Sequence, residues 1–352
     1  MTDRDLTAEF SERIKQASAS RPLRLLGGDS KRFLGRQVDG EPLSVADHRG
    51  ILNYDPAELV LTARAGTPLA EVERHLANHG QRLPFEPPHF GSGATLGGAV
   101  AAGLAGPARA WAGPVKDYLL GVRIISGHGR VLRFGGEVMK NVAGYDVARL
   151  MAGALGTLGL LTEVSIRVQP AALAQCTIVI ETAQDKALSW LAELASTALP
   201  ISASCWSASR LYLRLEGAEK TLSDSRERIC GEEVPDAEDF WISVKEQRHE
   251  FFSSRRPLWR VIVPASAPVL PLTSDPLIEW NGMQRWYAGG DRSVIHSTAA
   301  AHDGFATLFR GATADEEVFA PLPIPLMNAH RALKQAFDPR GIFNPGRMYR
   351  GL

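Results

Sequence analysis

The chain is 352 residues long, room for two domains at the usual size of about 150 residues each. Its 39 basic and 39 acidic residues cancel to give a pI near 7.1, which argues against nucleic acid or an anionic membrane as the main partner, since both select for basic surface. With 45% hydrophobic and 22% charged residues the composition is globular, which sets disorder, collagen and coiled coil aside.

Residues 1–16 are charged and helical in pattern rather than signal-like. The most apolar stretch, residues 96–108, is mostly Gly and Ala and too short to span a bilayer. A soluble, intracellular chain is the expectation. Cys176, Cys205 and Cys230 stand far apart with no C-x-x-C, so no disulfide framework, structural zinc or iron–sulfur cluster is expected.

An apolar run (Leu23, Leu25, Leu26) leads into a first glycine cluster. Residues 58–64 read as a strand, followed by Thr67 as N-cap and Pro68 at the first helical position. The helix then carries Leu69, Val72 and Leu76 on one face, with Gly80 just past its end. Residues 122–126 and 130–134 read as a hairpin joined at Gly127-His128-Gly129, and 158–168 as a further strand closed by Gln169-Pro170. After residue 171 the texture changes: glycine thins out and six of the seven tryptophans follow. Strand-like runs (177–181, 211–216, 259–264) alternate with helical ones (184–197, 219–230), the pattern of a sheet with helices on one side. A Pro-rich piece from Pro321 to Pro325 leads to a short helix with Leu326, Leu333 and Phe337, then Asn344-Pro345-Gly346.

Sixteen of the 33 glycines fall between Gly91 and Gly159, yet the familiar nucleotide motifs are missing. There is no G-x-x-x-x-G-K-S/T, no G-x-G-x-x-G opening a helix, and no G-x-S-x-G elbow. Three clusters stand instead. In Gly27-Gly28-Asp29-Ser30-Lys31, adjacent glycines let N–H groups converge on a diphosphate, and Ser30 and Lys31 add a hydroxyl and a charge; a solvent-exposed turn is the alternative. The run from Pro88 and His89 through Gly93, Ala94, Thr95, Gly97 and Gly98 to Gly106 is too small-sided to fill a core, so either a flat cofactor fills the space or backbones pack closely there. The third joins Lys140-Asn141-Val142-Ala143-Gly144-Tyr145-Asp146 to the glycines at 153, 156 and 159, ahead of a buried strand.

In this order, G-G-D-S, A-T-L-G-G, K-D-Y-L-L-G, K-N-V-A-G-Y-D and G-T-L-G-L-L-T-E resemble the FAD-binding domain of the vanillyl-alcohol oxidase (PCMH) type. The carboxyl-terminal F-D-P-R-G-I-F-N-P-G-R-M resembles the segment by which such proteins return to that domain. More narrowly, N-Y-D-P-A-E-L-V, E-P-P-H and N-P-G-R-M-Y resemble the FAD-binding subunits of bacterial glycolate oxidase complexes, nearly end to end.

The resemblance implies an α+β fold. An FAD-binding domain would cover 1–170, a smaller α+β cap 171–320, and a tail at 321–352 returning to the first. It places Gly27, Gly28, Asp29, Ser30 and Lys31 around the FAD pyrophosphate. Pro88, His89, Gly93, Ala94, Thr95, Gly97, Gly98 and Gly103 would line pyrophosphate, ribose and the near side of the isoalloxazine. Gly156, Thr157, Gly159 and Leu160 would bracket the adenine end, Asn344 would approach the ring, and Asp117 and Lys140 lie in matching motifs. Two departures stand out: Leu26 and Asp29 replace the Arg and third Gly of the usual R-G-G-G loop, and the loop has no His, so FAD is expected to bind non-covalently. A carboxylate at 29 would repel phosphate unless it turns away or caps the loop.

The implied function is oxidation of glycolate to glyoxylate. The implied partners are a larger flavin-binding D subunit, an iron–sulfur F subunit and a membrane acceptor beyond them. The implied location is cytoplasmic, with peripheral contact at the inner face of the cell membrane through the complex. The H-x-H metal pair of related hydroxy-acid dehydrogenases is missing; His296 and His302 are six apart, and no metal is expected. Arg109, Lys140, Tyr145 and Arg285 are candidates for holding a carboxylate, and no catalytic base is named. Two alternatives remain: a self-sufficient FAD-linked dehydrogenase or oxidase of a small 2-hydroxy acid, and a scaffold without redox function.

Overall fold

The computed structural model describes residues 4–136 and 146–352. Two antiparallel sheets dominate. Five strands, in the order Ile51–Asp55, Val60–Arg64, Leu160–Arg167, Leu119–Ile125 and Val131–Gly135, form the first. All five residues of Val60–Arg64 are buried, because helix Leu69–Ala77 lays Leu69, Val72 and Leu76 into the same core. Ahead of this sheet, Leu23–Leu26 pairs in parallel with Glu41–Ser44, and the first glycine cluster follows directly.

The second sheet has eight strands, all from residues after 173, in the order Glu232–Glu233, Ala174–Glu181, Arg210–Gly217, Ile201–Ser207, Leu277–Glu279, Gln284–Ala288, Leu258–Ile262 and Phe305–Arg310. The strands and helices read from the sequence between 171 and 301 all exist, with ends shifted by a few residues. Among the described residues no helix is long and apolar enough to cross a membrane.

One local expectation fails for a clear reason. Thr67 is not an N-cap: its hydroxyl accepts from Gly50 N–H at 3.0 Å and donates to Gly50 C=O at 3.2 Å, clamping the loop before helix Leu69–Ala77. The expected helix carrying Leu326, Leu333 and Phe337 is present as Ile324–Phe337; Ile324 and Leu326 are exposed, Phe337 packs against the core, and Lys334 is buried.

Lys334 anchors the tail. Its ammonium donates to the Asp338 carboxylate at 2.8 Å and to the carbonyls of Thr157 and Phe343, while Asp338 accepts from Ile342 and Phe343 N–H. Phe343 then bridges to Leu23, so the tail lies beside the strand that opens the glycine loop. Arg340 donates to the last carbonyls of helix Thr7–Gln16 and to Gly127, which caps that helix and ties three segments.

A buried ion network ties the segment around Arg82 and Glu86 to the second sheet. Arg214 donates to Glu86 at 2.6 Å and lies 3.3 Å from Glu216, which also pairs with Arg82. Glu86 takes a left-handed φ of 47° and accepts from Ala108 N–H, so one carboxylate fixes both backbone and partner. Around it an apolar cluster joins Leu34, Leu104 and Leu155 to Cys205, Trp286 and Phe309 of the second sheet and to Trp241 of helix Glu238–Lys245.

Removing one member of the buried Lys334–Asp338 pair leaves a charge without its partner, which costs about 3 kcal/mol or more. Asp338→Asn is therefore expected to lower the urea midpoint at unchanged m-value, and an unchanged midpoint would contradict the anchoring role of the pair.

Candidate functional site

The site begins where two loops touch through their backbones. A Cβ on Gly28 would lie 1.4 Å from the Gly93 carbonyl oxygen, and one on Gly27 would lie 2.3 Å from Thr95 Oγ1. The first two glycine clusters can meet only because these positions have no side chain. Thr95 then caps helix Leu96–Ala102 by accepting from Gly98 N–H at 3.1 Å, and Gly103 ends it at a left-handed φ of 64°. Gly97 packs its backbone on Ala65, where a Cβ would come within 2.5 Å of the Ala65 Cβ. The close-packing alternative thus holds at Gly97, while Gly98, Ala101 and Ala102 face an open cleft.

That cleft is open to solvent. It is lined by Gly27, Gly28, Asp29, Ser30 and Lys31, by Thr95, Gly97 and Gly98, and by Gly156, Gly159 and Leu160. Eleven of the nineteen residues expected to hold a cofactor are therefore brought to one cavity.

Its electrostatics are cationic and incomplete. Lys31 is nine-tenths buried and donates to the His89 carbonyl at 3.1 Å; burial pushes its pKa down to about 8. Arg347, from the returning tail, lines the same wall, equally buried, and burial lowers its pKa too. Its Nη2 reaches the Lys31 carbonyl at 3.4 Å, and its Nε is buried with no partner among the described residues. Asp29 adopts φ 55° and turns its carboxylate to Arg24 at 3.4 Å and Arg32 at 4.0 Å, so the repulsion expected from its charge is met by two guanidiniums. A diphosphate fits this set: it would supply the acceptor that Arg347 Nε lacks and restore the charge that burial disfavours on Lys31.

The other expected residues have different places. Gly93 holds the contact with Gly28, and Ala94 is buried behind it. Gly103 packs on Gly153. Asn344 does not line the cleft: it accepts from Leu25 N–H at 2.8 Å and donates to the Leu155 carbonyl at 2.7 Å, stitching the first glycine strand to the third cluster. Thr157 donates to the Ala154 carbonyl and faces a separate hollow beside Leu150, Leu333 and Met348. The His89 ring is bonded to Glu73 at 2.8 Å, and the His89 backbone N–H donates to the Glu246 carboxylate. Asp117 sits in a short turn with its carboxylate 4.0 Å from Arg149, away from the cleft lining. Lys140 and Tyr145 lie outside the described residues.

Pro88 lines a second, small cleft between the end of the small-residue run and the eight-stranded sheet. Phe90, Leu104, Trp286 and Phe309 form apolar walls, and Arg260, Glu279 and Gln284 bring polar groups. Arg285, a candidate from the sequence, is not available there, since the carbonyls of Ala267, Pro268 and Gly282 hold its guanidinium. His296 meets the Trp259 ring edge-on and His302 bonds the Thr298 carbonyl. No group of three or more metal-ligating side chains occurs among the described residues.

Sequence reasoning missed Arg347, although it sits inside the quoted N-P-G-R-M motif, and missed Arg260, Glu279 and Gln284 altogether. Those three are on separate strands and carry no local spacing signal.

Comparison with known proteins agrees with this geometry. The family model for an FAD binding domain matches residues 6–135, and that for the C-terminal domain of FAD linked oxidases matches 323–348. The chain is 49% identical over 350 residues to glycolate oxidase subunit GlcE of Escherichia coli (strain K12), covering 99% of each. It is 22% identical to glycolate oxidase subunit GlcD of Bacillus subtilis (strain 168), over 85% of this chain and 77% of that one. In fold it resembles a solved alkyldihydroxyacetonephosphate synthase, with a TM-score of 0.67 at 15% identity, over 97% of this chain and 75% of that one.

A bound diphosphate raises the pKa of Lys31 from about 8. At pH 9, binding should therefore take up a proton, read as a dependence of the calorimetric heat on buffer ionisation enthalpy. Lys31→Met should abolish that dependence; its persistence would place the cation elsewhere.

Proposed function

The chain belongs to the family of glycolate oxidase subunit GlcE, with an FAD-binding domain of the vanillyl-alcohol oxidase type, and from that premise we propose that it is the FAD-binding subunit of a glycolate oxidase complex. Glycolate is the substrate of the complex and glyoxylate its product. We divide the chain into an FAD-binding domain over 1–170, a cap over 171–320 and a returning tail over 321–352; the separate strand sets of the two large sheets support this division.

The observation that carries the reading is the cleft where the two glycine loops meet under Lys31 and Arg347. Gly27, Gly28, Ser30 and Lys31 approach the diphosphate from one side, and Arg347 completes the charge from the tail. Gly98, Ala101 and Ala102 offer a bare helix face to the flat part of the cofactor. Leu160 and Gly159 close the far wall. Thr95, Gly93 and Asn344 hold the loops in register without needing to touch the ligand. Binding is non-covalent, because the first loop carries no histidine and the His89 ring is engaged by Glu73.

FAD, when bound, supplies a two-electron acceptor whose electrons leave through an iron–sulfur F subunit to a membrane acceptor. The chain's partner for the hydroxy acid is a D-type flavin subunit, to which its own sequence is distantly similar. Peripheral contact with the cell membrane comes through these partners.

The test is an anaerobic spectrum of the purified chain before and after glycolate, alone and then with the D-type partner. The flavin bands should persist with glycolate alone and bleach once the partner is added. Bleaching of the isolated chain would give it a complete active site and make it a self-sufficient dehydrogenase. A chain that stays colourless after reconstitution with FAD would leave only the scaffold.

A further inference from the structure

One peptide group ties the buried lysine of the cofactor cleft to the second half of the chain. Lys31 donates to the His89 carbonyl at 3.1 Å, and its ammonium stands 5.8 Å from the centre of the Phe90 ring. The N–H of that same peptide, on Phe90, donates to the Glu246 carboxylate at 2.8 Å. The preceding N–H, on His89, reaches both Glu246 oxygens, at 3.0 and 3.1 Å. Phe90 adopts a left-handed φ of 52°, and successive N–H groups converge on one anion as in a backbone nest. Here the anion is a side chain of the protein itself.

Glu246 stands where a carboxylate is disfavoured. It ends helix Glu238–Lys245 at the negative pole of the helix dipole, and its side chain is 13% exposed. Gln247, next in the chain, takes a left-handed φ of 54° and accepts from Arg310 Nε at 2.9 Å, which holds the turn. Lys245, 3.8 Å from Glu246, offsets part of its charge. Glu246 is also the strongest charge that favours the Lys31 ammonium against burial, and Glu73, bonded to the His89 ring, is the second. The remaining charges around the loop are engaged elsewhere: Asp29 faces Arg24 and Arg32, and Arg347 reaches the Lys31 carbonyl.

We infer that Glu246 is a positioning residue for the cofactor: through the His89–Phe90 peptide it places the Lys31 ammonium at the cleft wall, and its charge keeps that ammonium cationic. The second half of the chain thereby takes part in holding a diphosphate that lies against the first. The identity of the ligand rests on the proposed function; the Glu246–peptide–Lys31 chain rests on the residues alone.

The test is the FAD affinity of the flavin-stripped chain, read by calorimetry between pH 6 and pH 9. Lys31 titrates at about 8 without ligand, and its charged form is the one that pairs with diphosphate, so wild-type affinity should fall about tenfold over that range. Glu246→Gln should start the fall at lower pH, making its loss against wild type about threefold or more greater at pH 9 than at pH 6. Glu246→Asp should restore the wild-type pH profile even at weaker binding, and Glu73→Gln should shift the profile less than Glu246→Gln does. Added to Lys31→Met, Glu246→Gln should cause a loss that does not vary with pH. Lys245→Gln, which unmasks the Glu246 charge, should move the fall to higher pH and decides the matter if Glu246→Gln does not fold. A loss in Glu246→Gln that is equal at every pH, or no loss, overturns the inference and leaves Glu246 as a loop anchor; so does an unmoved profile in Lys245→Gln. A wild-type chain without saturable FAD binding at pH 6 overturns the cofactor reading itself, and this inference with it.

Discussion

The contact on which the rest depends is the touch of two backbones at Gly28 and Gly93. An alanine methyl at Gly28 would overlap the Gly93 carbonyl, so the approach tolerates no side chain at all. Everything that makes a cofactor cleft follows from that closeness. The Gly27–Lys31 loop becomes one wall, the Thr95-capped helix becomes the other, and the space between is left for a ligand because Gly98, Ala101 and Ala102 cannot fill it.

Charge then decides what kind of ligand. Lys31 and Arg347 are buried at the cleft wall with less hydrogen bonding than their chemistry allows, and Asp29 has its own guanidinium neighbours in Arg24 and Arg32. Arg347 arrives from more than 300 residues away in sequence. It is held by the buried Lys334–Asp338 pair and by the Phe343–Leu23 bridge, so the carboxyl-terminal tail is structurally part of the first half of the chain. The Glu86–Arg214–Glu216–Arg82 network ties the segment that leads into the second glycine cluster to the second sheet.

Much of this was legible in the sequence, and the boundary of legibility is physical. Strands and helices with strong periodicity, such as Leu160–Arg167 and helix Leu69–Ala77, follow from local pattern. The glycine clusters could be found because a missing side chain leaves a visible mark in one dimension. Their partners could not: Thr67 looks like a helix cap and is instead clamped to Gly50, a contact that pattern does not encode. Asn344 sits in a motif that sequence can show, but its bonds to Leu25 and Leu155 join segments more than 180 residues away in the chain, which spacing does not encode. Arg260, Glu279 and Gln284 form a cluster only once three strands are laid side by side, which no spacing announces.

The most direct measurement of the central claim is the flavin released when the purified, FAD-reconstituted chain is precipitated with acid. The account predicts FAD equimolar with protein, all of it in the supernatant. Flavin that stays with the pellet would contradict non-covalent binding, and an absence of flavin would mean that the cleft built on the Gly28–Gly93 contact serves another ligand.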